Sequence, residues 1–311
     1  MAYLGIQKQI SRNNRNSVLL LIAFPALLLG MVYLFFLFTS GNVPSYASGR
    51  FVNTAPWVVA ATAVWFLIAW KFNTSMINAA TGARPLERRE NKRVYNLVEN
   101  LCIATGMRMP KVNVIEDDSL NAFASGISDS TYTVSLSRGI INKLDDDELE
   151  AVIAHELAHI RNRDVRLLII SIIFVGIFAF IANVAFRSLR FGAIGRSRGD
   201  GKNNAPVILI ILVLSAIAYL ISILLRFGIS RSREYLADAG AAEMTRKPWA
   251  LASALRKISG DPLIEAVQNK DVAQMFIENP QLSDKKGFSL GSLFATHPPI
   301  QKRIQVLEQF A

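Results

Sequence analysis

Cysteine and histidine are scarce in this chain of 311 residues, which holds one cysteine, Cys102, and three histidines. A lone thiol excludes an internal disulfide and any thiolate cluster for a metal, and it suits a reducing compartment. Acid is short too: 24 Asp and Glu stand against 34 Lys and Arg, for a net charge of +10. The surplus basic residues lie beside hydrophobic runs, so they read as topology and lipid-headgroup signals, and no nucleic-acid partner is expected. Low-complexity tracts are missing, as are internal repeats beyond paired hydrophobic runs. What the chain has in quantity is apolar surface. Hydrophobic residues make up 51% of it and its mean hydropathy is positive, the composition of a membrane protein.

The apolar residues fall into four runs. Residues 1–72 form an amino-terminal membrane hairpin with spans at about 18–38 and 55–70. Lys8, Arg12 and Arg15 precede the first span, only Arg50 lies in the short connecting loop, and Arg84, Arg88, Arg89, Lys92 and Arg93 follow the second. That asymmetry predicts both ends of the hairpin in the cytoplasm. Residues 166–228 carry the second pair, Leu167 to Phe186 and Val207 to Leu225, read either as two more spans or as a hydrophobic hairpin. Four spans are the preferred reading, although the basic loop between the runs departs from the positive-inside tendency. None of the four runs holds an ionisable residue in its interior, which argues against a transporter.

The polar segments 73–165 and 229–311 are expected to be the two parts of a cytoplasmic catalytic unit. Val94, Leu97, Val98 and Leu101 recur at helical spacing with Gly106 as a stop. Val112, Val114 and Ile115 predict a strand, and residues 121–126 and 131–136 predict two more, joined by a polar loop. A sheet edge at Asn121, Ala122, Phe123 and Ala124 is either plain structure or a place where an extended peptide adds as a strand. Asp145 is a candidate N-cap with Glu148 three residues on, which predicts a well-started helix through residue 159. Further helices are expected over 233–244, from Pro248, and from Ile300 to the end.

The helix after Asp145 carries His155-Glu156-Leu157-Ala158-His159. Residues four apart share a helix face, so the two imidazoles can point at one metal ion while Glu156 reaches a water beside it. A catalytic zinc site has three protein ligands and an open fourth position. The even number of hydrophobic runs returns the chain to the same side of the membrane, where Glu234 is the best third ligand. Asp238, one turn on, suits as acceptor for the second N–H of a ligating imidazole. His297, in a chain with so little histidine, is a candidate donor to a tetrahedral oxyanion.

Three blocks together, His155-Glu156-Leu157-Ala158-His159-x-x-Asn162-x-Asp164, Glu234-Tyr235-Leu236-Ala237-Asp238-Ala239 and Phe294-Ala295-Thr296-His297-Pro298-Pro299, resemble the HtpX-type membrane zinc metalloproteases, relatives of the CAAX prenyl endopeptidases. The resemblance implies an α-helical integral membrane protein with a mostly α, small β-sheet, gluzincin-like zinc metalloprotease domain. It implies one Zn2+ per subunit on His155, His159 and Glu234, with Glu156 and His297 catalytic; on the chemistry of the residues, Asp238 and Asp164 would hold the ligand histidines from behind. Residues 121–124 and Arg303 would then contact substrate. The implied activity is cleavage of misfolded or damaged membrane proteins, or other unfolded polypeptides, at the cytoplasmic face of the bilayer, a bacterial inner membrane, as part of a stress response. The rival reading is a non-enzymatic membrane scaffold or metal-binding protein. A protease cutting within the bilayer is disfavoured, because Asp145–Glu150 and Arg161–Asp164 flank the motif with charge.

Overall fold

Long uncharged runs can satisfy their backbone in lipid only by forming helices, and in the computed structural model they do. The structure describes residues 6–192, 205–227, 231–260, 275, 277 and 298–310. Helix α1 covers Ile6–Thr39 and α2 covers Pro44–Thr81. The turn between them places Gly41 and Asn42 at φ 68° and 62°. Pro44 opens α2 at the position where its missing N–H costs nothing. The connecting loop expected over 40–54 is therefore mostly helix. Among the described residues, three helical stretches are long and apolar enough to cross a membrane: Ile10–Thr39, Pro44–Thr81 and Asp164–Ser188. The fourth run lies in a helix at Ala205–Phe227, whose described apolar stretch, Val207–Ile221, is shorter.

The chain divides into two units, and each has its own packing logic. One consists of Arg15–Lys71 and Ile170–Gly228. Its interior is aromatic: Phe24 stacks on Phe174 with ring centroids 4.8 Å apart, and Phe66 stacks on Phe174 at 5.6 Å. Its outside is apolar as well. Trp57 is 77% exposed, and Ile22 and Leu67 are also exposed, the inverse of a water-facing surface.

The other unit consists of Met1–Asn14, Phe72–Ile169 and Ile229–Ala311. Its sheet has the order β1 (Arg84–Pro85), β2 (Lys111–Ile115), β4 (Thr133–Ser137), β3 (Ala122–Ser125). Strands β3 and β4 form the expected antiparallel pair, with Ala122 opposite Leu136 and Ser125 opposite Thr133. At their turn Gly126 has φ 107°, and a Cβ there would lie 2.4 Å from the Thr131 carbonyl oxygen, so only glycine fits. Strand β2 pairs with β4 in parallel, which leaves β3 at the edge.

Helix α3 (Lys92–Thr105) is capped by Asn91, which accepts from the Val94 N–H, and ends at Gly106 with φ 66°. A short α4 (Arg138–Lys143) leads to α5 (Asp146–Arg161). The start of α5 is a full capping box: the Glu148 N–H donates to Asp145 Oδ1 at 2.9 Å, and the Asp145 N–H donates to Glu148 Oε2 at 3.1 Å. Helix α5 packs against α3, α8 (Arg231–Thr245), α9 (Pro248–Ile258) and the strands β3 and β4. With α6 (Asp164–Gly192) and α7 (Ala205–Phe227) between them, the closing helix α10 (Ile300–Glu308) completes the described elements and lies against α8 and α9.

Candidate metal centre and active site

Most of α5 is buried, including His155 and Glu156. Two small residues bring α8 close to it: a Cβ on Gly240 would sit 3.0 Å from the Ala158 Cβ. That approach sets Glu234, on the first turn of α8, beside the two imidazoles. The ligand atoms of His155, His159 and Glu234 all lie within 4.8 Å of one another. His155 Nε2 is 3.2 Å from His159 Nε2 and 3.7 Å from Glu234 Oε2, and His159 Nε2 is 3.6 Å from Glu234 Oε1. Ligand bonds of about 2.0–2.1 Å at tetrahedral angles set ligand atoms about 3.4 Å apart, so this donor set fits a zinc ion.

The opposite ring nitrogens have carboxylates. His155 Nδ1 lies 3.0 Å from Asp238 Oδ1, and His159 Nδ1 lies 3.2 Å from Asp164 Oδ2. A proton on each Nδ1 leaves each Nε2 lone pair aimed at the centre. Asp164 reaches His159 because the chain breaks between α5 and α6. Arg163 adopts φ 59°, uncommon for a side chain with a Cβ, and folds the start of α6 back towards the end of α5. Asp164 is further engaged from the amino terminus: the Asn13 amide nitrogen donates to Asp164 Oδ1 at 2.5 Å and to the Asn162 carbonyl at 2.8 Å. Asn13 belongs to the same polar unit as Asp164.

Arg303 lies 1% exposed beneath the ligands. Its guanidinium donates to both oxygens of Asp238, at 2.9 and 2.7 Å, and its Nη1 lies 3.6 Å from Glu234 Oε2. It also donates to the Ile277 carbonyl at 3.1 Å. Its Nη2 also lies 3.4 Å from His155 Nε2, so the guanidinium touches two of the three candidate ligands as well as Asp238.

Burial and charge set the protonation of the group. Burial lowers His155 to about 4, with help from the Arg303 charge, so it is neutral and ready to ligate. Burial also opposes charge on His159, but Glu234 and Asp164 outweigh it and lift this imidazole to about 9. Glu156 is pushed up to about 7 by burial, reinforced by the Glu234 carboxylate and opposed by a backbone N–H bond from Ala124. A carboxylate with a pKa near 7 is poised to exchange protons at neutral pH.

The edge strand is thus tied to Glu156 through Ala124. Asn121, Ala122, Phe123 and Ala124 are all buried, and the Ala122 carbonyl accepts from the Ile277 N–H at 2.9 Å. His297 lies outside the described residues; Pro298 and Pro299, just after it, lead into α10.

Comparison with known proteins accords with this geometry. Residues 88–311 match Peptidase family M48. The chain belongs to that family. It is 58% identical, over the full length of both chains, to a protease HtpX homologue of Bacteroides fragilis. A protease HtpX homologue of Listeria innocua is 36% identical, covering 97% of this chain and 98% of its own. Among solved structures, Ste24p of S. mikatae shares the fold, with a TM-score of 0.50 at 19% identity, over 96% of this chain and 66% of the longer one. This M48 peptidase is therefore a membrane metallopeptidase of HtpX type, with helices of spanning length, a small mixed sheet and a potential metal site. Membership of a peptidase family sets aside the non-enzymatic scaffold.

Two contacts escape a reading of the M48 sequence. Asn13 sits in a polar stretch with no periodic signal, and Ile277 in a segment without clear helical or strand pattern. Only an uncharged amide just ahead of an apolar run hints at the first, and nothing in the sequence hints at the second.

Proposed function

We propose that this metallopeptidase is a zinc-dependent endopeptidase that cleaves misfolded or damaged membrane proteins at the cytoplasmic face of a bacterial inner membrane, in quality control under stress. The observation that carries the zinc assignment is the convergence of His155, His159 and Glu234, each imidazole backed by its own carboxylate. The cytoplasmic orientation rests on the basic residues that flank the first apolar pair. Action on membrane proteins rests on chain distance: only four residues separate His159 from Asp164, where a stretch of spanning length begins.

His155, His159 and Glu234 would hold a zinc ion, which would supply the Lewis acidity that acidifies a water to a pKa of about 7 and polarises a peptide carbonyl. Glu156 takes the proton of the attacking water and delivers it to the leaving amine. Substrate backbone would add along β3 by displacing the Ile277 N–H from the Ala122 carbonyl, and His297 would donate to the developing oxyanion. Asp238 and Asp164 keep the imidazoles oriented, and Arg303 keeps Asp238 charged and in place.

The decisive test pairs zinc content with peptide hydrolysis for the purified protein and Glu156→Gln. The variant should keep its zinc and lose about 10²–10⁴-fold in rate. Hydrolysis at the wild-type rate would sink the assignment.

A further inference from the structure

A carboxylate that orients a ligating imidazole is itself a rotor, and it orients well only if its other oxygen is held. In Asp164 the oxygen Oδ2 faces His159 Nδ1 at 3.2 Å, and Oδ1 accepts from Asn13 Nδ2 at 2.5 Å. The same amide nitrogen donates its second proton to the Asn162 carbonyl at 2.8 Å, at the break where Arg163 takes a left-handed conformation. Asn13 is 1% exposed and Asp164 is 3% exposed, so water cannot readily replace either bond. Asn13 comes from α1, 151 residues away in sequence from the carboxylate it holds.

We propose that Asn13 is a positioning residue of the metal centre, fixing the Asp164 carboxylate, and through it the His159 ring, from the amino-terminal helix. This rests on the reading of His159 as a metal ligand. The neighbouring Asn14 gives an internal contrast. Its Oδ1 accepts from Arg163 Nη1 at 3.4 Å, so it touches the same break without touching Asp164. The helix that begins the chain and runs on into the first apolar stretch thereby becomes part of the ligand apparatus: loss of its register at Asn13 loosens the metal.

The test uses the full-length protein in detergent. Zinc affinity is measured by competition with a chromogenic chelator, and the ligand field by the visible spectrum of the cobalt-loaded protein. Asn13→Ala removes the amide, while Asn13→Leu puts an apolar side chain of the same branching in its place, with neither donor nor acceptor. Both should weaken zinc binding about tenfold, the lower end of what outer-shell changes cost, and alter the cobalt spectrum, whereas Asn14→Ala should leave both unchanged. In an Asp164→Ala background Asn13→Leu should have no further effect, because the residues act in series. The proposal is overturned if Asn13→Leu binds zinc with wild-type affinity and spectrum, or if its effect adds in full to that of Asp164→Ala. His159→Ala separates the two failures. If it too retains full affinity, the metal-site reading has failed; if it loses zinc while Asn13→Leu does not, only the role of Asn13 has.

Discussion

The two units of this peptidase invert the rule of inside and outside in opposite ways. The polar unit buries charge: His155, Glu156, Glu234, Asp238 and Arg303 are all under 10% exposed. The apolar unit exposes large hydrophobic side chains, with Trp57 at 77%. Buried charge is tolerated only when each group has a partner, and exposed apolar surface only when the surroundings are apolar too. So the first unit is held by specific pairs that fail one by one, and the second by a solvent that no single side chain controls.

The largest expected effect of breaking this contrast is at Arg303. Arg303→Ala leaves the Asp238 carboxylate buried without its main partner and should cost about 3–5 kcal/mol, read as a lower unfolding temperature in detergent. A loss below about 1 kcal/mol would show that water reaches Asp238 and that the pair adds little to stability.

A smaller effect is expected from pH. In the metal-free protein His159 is raised to about 9, above its ordinary 6.5, so its contribution to stability is full below pH 6.5 and lost as pH rises through 9. A metal must displace that proton, whereas His155, held down to about 4, carries none. Zinc affinity should therefore rise about tenfold per pH unit from pH 7 and level off above about 9. Titration in metal-buffered solutions measures it, and a flat profile would mean that His159 is already neutral.

The smallest effect belongs to the apolar unit. Trp57→Ala should change stability in detergent by less than about 0.5 kcal/mol, since an exposed side chain gives up little packing. A large loss would place Trp57 in an interface with another chain.

How far the sequence went can be judged from particular residues. The capping box at Asp145 and Glu148, the stop at Gly106 and the strands around Val112 and Val134 are local patterns, and the structure has them. The approach of Glu234 to the imidazoles was inferred from the return of the chain across an even number of runs, and the two histidines and the carboxylate do meet. The parallel pairing of β2 with β4 was invisible, because it depends on where three strands are laid and not on any one of them. So was the bond from Asn13 to Asp164, which joins residues far apart by a single amide. Arg303 was expected beside substrate, and its contacts in the structure are with Asp238, Glu234, His155 and the Ile277 carbonyl. A charge pattern cannot reveal which neighbour saturates a guanidinium.

The two imidazoles lie ahead of the second apolar pair in the chain, and the carboxylate that joins them lies after it. Synthesis runs in one direction at about 5–20 residues per second, so several seconds pass between His159 and Glu234 leaving the ribosome. Throughout that interval the nascent chain holds two of its three candidate metal ligands. Proteolytic competence is thus postponed until the apolar pair has been made, a delay written into the order of the residues themselves.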